Sequence, residues 1–215
     1  MPIAQLGFEG RYPVFTWATK PAANAVPVGT RITIIGWMAP PSDWVSDGTY
    51  WLPVGGRAVV HAPVLVDAQA TGATVQSLVA SVPTWQVPAN MASTPGMYIE
   101  AVLTAEVVSG VSADQQRQIY IGIESSKNLL GVHVFTSTTL GKRFWGRTYR
   151  NNSPAEWMSF TGNAQMLVDT NSITARATDA ELAADPIGVY YQGGAADGSE
   201  IIKFHSFGLA VGVGA

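Results

Sequence analysis

The stretch Trp44 to Val60, WVSDGTYWLPVGGRAVV, constrains this chain more than any other. Ser46-Asp47-Gly48, Pro53 and Gly55-Gly56 are turn signals, and between them lie the aromatic and β-branched runs Thr49–Leu52 and Arg57–Val60. Asp-Gly supplies the positive φ of a tight hairpin turn, and Gly-Gly can do the same. Two reversals so close together leave room only for short strands. The indole rings of Trp44 and Trp51 must then do the pinning that a disulfide or metal does elsewhere, because the chain has no cysteine. Such a unit is too small to bury a core alone, so it must pack on something.

At 215 residues the chain has length for a sizeable core. Charged residues make up 13% of it, about half the usual quarter, against 47% hydrophobic residues. A surface so poor in charge belongs either to a subunit covered by its neighbours or to a large-cored β domain with small polar surface residues. The net charge of −3, with both signs scattered, argues against nucleic-acid binding and against an anionic membrane surface. The N-terminus lacks the basic and apolar regions of a signal peptide, and no run approaches the roughly 20 apolar residues of a membrane span. Synthesis in a cytoplasm, with no membrane insertion, is the expectation.

Residues 1 to 25 read as an extended arm. Phe8, Tyr12, Phe15 and Trp17 alternate with glycines and prolines and show no helical period. Rings spaced this way either anchor the arm in pockets of a partner or cover this chain's own core. Residues 26 to 61 read as a small β module: a strand in Arg31–Met38, then the hairpin unit, with Trp37, Trp44 and Trp51 as its core. Residues 62 to 72, rich in small side chains, read as a connector.

From 73 to 215 the pattern is almost wholly β. Met97 to Val107 alternates without a break, and Ile119–Ile123, Leu130–Phe135, Arg143–Arg150, Ala164–Val168, Ile187–Tyr191 and Ile201–Val213 are further strands. Thr178 and Glu181 have the spacing of a capping box, which predicts a short helix stopped by Pro186. The expected fold is all-β: a small N-terminal β-hairpin module followed by an antiparallel, jelly-roll-like β-sandwich.

In this organisation the chain resembles tailed-bacteriophage virion appendages, the tail-fibre, tail-spike and head-fibre proteins. Trp44, Ser46, Asp47, Gly48, Trp51, Pro53, Val54 and Gly56 match their W-x-S-D-G-x-x-W-x-P-V/L-x-G collar motif. Val87-Pro88-Ala89-Asn90-Met91, Gly96, Ile99 and Ile121-Gly122-Ile123 match a second run that enters the tip domain. The resemblance spans residues 26 to about 125, and no long fibrous shaft accompanies it. It implies a homo-oligomer, a trimer above all, located in the virion and attached to tail, portal or capsid proteins. It also implies a tip that binds host receptor or glycan, with capsid decoration or a free carbohydrate-binding module as the alternatives. Loops 109–117, 150–156 and 192–199 would carry recognition.

Catalysis is not expected. His61, His133 and His205 lie 72 residues apart with no metal-ligand spacing, and no cofactor or metal site is read from the chain. Glu100 and Glu106 share a strand face but stand roughly 20 Å apart at strand rise, too far for a glycosidase pair. The most chemical-looking stretch is Lys142–Arg150, where alternation puts Arg143, Trp145, Arg147 and Tyr149 on one face. Arginines beside rings either contact a receptor or glycan or make salt bridges to a neighbouring subunit.

Overall fold

The computed structural model describes residues 12–35, 41–71, 75, 77–88, 91, 94–109, 117–135, 142–150, 156–161, 172–193 and 201–213. Among them, strands β1 (Val14–Thr16), β2 (Arg31–Ile35), β3 (Ser42–Ser46) and β4 (Trp51–Pro53) form one sheet in that order. β1 pairs parallel to β2, and the others are antiparallel. The remaining strands are β5 (Arg57–Thr71), β6 (Ser77–Leu78), β7 (Met97–Ser109), β8 (Arg117–Ile123), β9 (Ser126–Phe135), β10 (Lys142–Arg150), β11 (Glu156–Thr161), β12 (Ser172–Thr178), β13 (Gly188–Gln192) and β14 (Ile201–Val213). They make a six-stranded sheet, β12-β11-β10-β7-β14-β5, and a four-stranded sheet, β6-β13-β8-β9. β9 packs across β10, β11 and β12, so the sheets lie face to face.

The chain is all-β and sandwich-like. β7 neighbours β14 in one sheet while β8 neighbours β13 in the other. The alternation read along 97–107 has a physical basis here. Met97, Ile99, Ala101, Leu103 and Ala105 are buried on the inner face, against Phe204, Phe207, Leu209 and Val211 of β14 and Ile119 and Ile121 of β8. Thr178 caps the helix α1 (Asp179–Ala184) as a full capping box with Glu181.

Three features differ from the sequence reading. Within the segment read as an arm, Val14–Thr16 is a strand of the N-terminal sheet, with Phe15 in register with Ile34. Residues 62–71 are strand and form the greater part of β5. The second turn does not close a hairpin: β4 and β5 do not pair, and Gly55 and Gly56, at φ +82° and +78°, form a corner that sends the chain into the sandwich. β5 is an edge strand, and its register against β14 slips three times. These slips and Pro63 roughen an edge that would otherwise invite strand addition. Trp37, Phe8 and the strand expected at Ala164–Val168 lie outside the described residues.

Candidate functional site

The turn motif of the N-terminal module works as a clamp. Asp47 Oδ1 accepts the backbone N–H groups of Thr49 at 2.7 Å and Tyr50 at 2.6 Å, an Asx turn that fixes the β3–β4 reversal. Gly48 follows at φ +94°, a left-handed conformation that favours glycine. Ser46 is buried; its hydroxyl accepts from Gly48 N at 3.0 Å and donates to the Ala23 carbonyl at 2.9 Å. Trp51 Nε1 donates to the Pro21 carbonyl at 2.9 Å. Two residues of the motif thereby hold two carbonyls of the preceding segment.

The rings read as anchors find these places. Trp17 meets Trp44 edge to face, centroids 5.1 Å apart, and Trp44 is fully buried. Lys20 lies over Trp17, its Nζ 4.2 Å from the ring centroid, and burial pulls its ammonium below the usual lysine range. Phe15 and Trp17 are half-buried against the module's own core. Tyr12 receives Arg31 Nη1 at 3.0 Å, with the guanidinium 5.7 Å from its ring centroid. Trp44 and Trp51 share the module core with Ile32 and Ile34.

The basic strand is β10, and its backbone register is well defined. Arg143, Trp145, Arg147 and Tyr149 stand opposite Thr104, Val102, Glu100 and Tyr98 of β7. Those β7 residues alternate with the inner-face row, so all four positions are on the sheet face turned away from the sandwich core. Arg57 Nη2 donates to Glu100 Oε1 at 2.7 Å; the Glu100 side chain is 10% exposed and that of Arg57 43%. Further along, His205 Nε2 lies 3.2 Å from Glu106 Oε1.

A second polar cluster sits on the outer face of the four-stranded sheet. Tyr190 and Tyr120 are cross-strand partners, and both are buried. The phenol of Tyr190 is pushed up to about 12, first by burial, then by the charge of Glu124 and the hydrogen bond to it, and last by Asp185. Lys127 bridges the pair, 2.7 Å from Glu124 Oε1 and 5.5 Å from the Tyr190 ring centroid. A phenol whose folded pKa exceeds the unfolded 10.0 contributes stability that is complete below pH 10 and lost as pH rises towards 12. Ultraviolet phenolate titration of the folded chain should therefore show a tyrosine ionising near pH 12. Thermal stability should fall over the same window, and Tyr190→Phe should abolish the late step. A late step that persists in that variant would assign it elsewhere.

Among the described residues no group of three or more His, Asp or Glu side chains is placed to hold a metal ion, and no helix is long and apolar enough to cross a membrane. No protein-family model matches the chain, and no curated protein matches it. Among solved structures it is similar to the CBM2 module of the Lactobacillus casei BL23 phage J-1 evolved Dit, at a TM-score of 0.28 and 10% identity over 74% of this chain and 92% of that one. A likeness this slight decides neither fold nor function.

Proposed function

We propose that the chain is a non-enzymatic bacteriophage virion protein: a short tail- or head-attached appendage, assembled as a trimer, whose sandwich binds host receptor or glycan. The observation that supports it is the clamp. Ser46 and Trp51 of the collar motif hold two carbonyls of the segment before them, while Asp47 and Gly48 fix the β3–β4 turn that places both side chains. The module is thus a stiff joint between whatever precedes Tyr12 and the sandwich beyond Gly56. In this reading Phe8 and its neighbours, with the half-exposed ring of Tyr12, contact tail, portal or capsid proteins. Phe15 and Trp17 keep the joint rigid.

Deleting residues 1–11 tests this. The shortened chain should keep the thermal midpoint of the full chain and be missing from purified particles by mass spectrometry. A chain absent from wild-type particles, or incorporated equally well without residues 1–11, overturns the proposal. Absence from wild-type particles with glycan affinity intact would favour a free carbohydrate-binding β-sandwich module, and incorporation on tailless capsids would favour decoration.

A further inference from the structure

One face of the N-terminal sheet is buried and the other is open. Ile32 and Ile34 of β2, Trp44 and Ser46 of β3, and Trp51 and Pro53 of β4 are buried and point one way. A strand turns alternate side chains to opposite faces, so the residues between them look outward. On that outer side Arg31 stands opposite Val45, and Val45 opposite Leu52, in one row. Val14, Thr33 and Asp43 form the next, and the bond from the Val54 N–H to the Asp43 carbonyl carries that row on to Val54. None of these side chains is buried, and those of Arg31, Asp43 and Val54 are exposed.

The two charges on this face are held apart. Arg31 and Asp43 are diagonal neighbours on adjacent strands, a backbone separation of about 7–8 Å that a long side chain can span. The bridge is not made. Arg31 leans to the β1 side, where Nη1 donates to the Tyr12 hydroxyl at 3.0 Å and the guanidinium lies 5.7 Å from the Tyr12 ring centroid. Asp43 Oδ1 accepts from the Thr33 hydroxyl at 2.6 Å, which braces the carboxylate. Among the described residues neither charge has an ionic partner. The face thus carries a braced cation on its β1–β2 half and a braced anion on its β3–β4 half. Val14, Val45, Leu52 and Val54 surround them with apolar surface.

We infer that this face is where copies of the chain join, Arg31 of one copy set against Asp43 of the next. The inference rests on the trimeric assembly proposed above and names the surface that holds the three copies together. A half that offers a cation and a half that offers an anion make a head-to-tail contact, which closes into a ring when the rotation allows. Closure leaves every Arg31 and every Asp43 paired. Side chains already braced lose little freedom on docking, and the apolar residues around them exclude water from the ion pair. The two charges cancel, so a partner of one charge sign gains nothing here. Another copy does, because it brings the same two charges in complementary places.

Sedimentation equilibrium of the full chain tests it. The unaltered protein should be a trimer, and Arg31→Asp and Asp43→Arg should each weaken association by roughly a hundredfold or more, the effect of opposing like charges. The double reversal, Arg31→Asp with Asp43→Arg, puts opposite signs back at every contact and should regain the trimer. Both side chains are exposed, so each variant should keep the circular dichroism of the unaltered chain. Val28→Asp, at a residue 73% exposed beside the Gly48 turn and outside these rows, should leave assembly unchanged. Mixing the two single variants tests the ring itself. A ring of three built from two species always keeps one like-charged contact, whereas a two-fold dimer would satisfy both pairs, so a stable mixed dimer overturns the head-to-tail ring. A trimer that both single reversals leave intact, or a double reversal that stays dissociated, overturns the inference and lets the trimeric reading stand. An unaltered chain that is not a trimer overturns that reading and this contact with it, so the two failures are distinguishable.

Discussion

Trp44→Ala is expected to cost the folded chain about 3–5 kcal/mol, the range for deleting a buried indole. Its ring is fully buried, packed edge to face on Trp17 within a core that includes Ile32, Ile34 and Trp51. The hole cannot close easily, because the surrounding backbone is held by the Ser46 and Trp51 bonds to Ala23 and Pro21. For a chain of this length such a loss lowers the thermal midpoint by roughly 6–20 °C. The buried residues of the module and of the sandwich belong to one hydrophobic cluster, so the transition should stay single. The variant should also expose the bond after Trp17 to chymotrypsin, since the segment 12–25 loses the ring it rests on. A loss below 1 kcal/mol, or two resolved transitions in calorimetry, would show that the clamp holds without its tryptophan or that the module melts alone.

The clamp and the sandwich differ in how far the sequence revealed them. The Asp47-Gly48 turn and the Thr178–Glu181 capping box were legible because each is local: a side chain a few residues away satisfies the backbone it sits beside. The period of two along 97–107 was legible because one face is fully buried and a slipped residue would invert it. β5 was not legible beyond His61. Ala62, Pro63, Ala68 and Ala70 look like a connector, and three register slips destroy the alternation that marks a strand. Nor does any local pattern announce that Phe15 and Trp17 serve their own module, since a ring that fills a partner's pocket has the same spacing. The pairing of Arg57 with Glu100 spans 43 residues and depends on the place of β14 between their strands, which is information about topology alone.

Phe207→Ala tests the sandwich as Trp44→Ala tests the clamp, and a loss of about 3–5 kcal/mol is again expected. Phe207 is fully buried on the inner face of β14, opposite Leu103 of β7 and Val64 of β5. β14 is flanked on both sides, so it cannot move towards the vacancy without breaking one of two ladders. Urea unfolding should show the loss as a lower midpoint with an unchanged slope, since the surface exposed on unfolding barely changes. If the stability falls by less than about 1 kcal/mol, the two sheets are not joined through this ring.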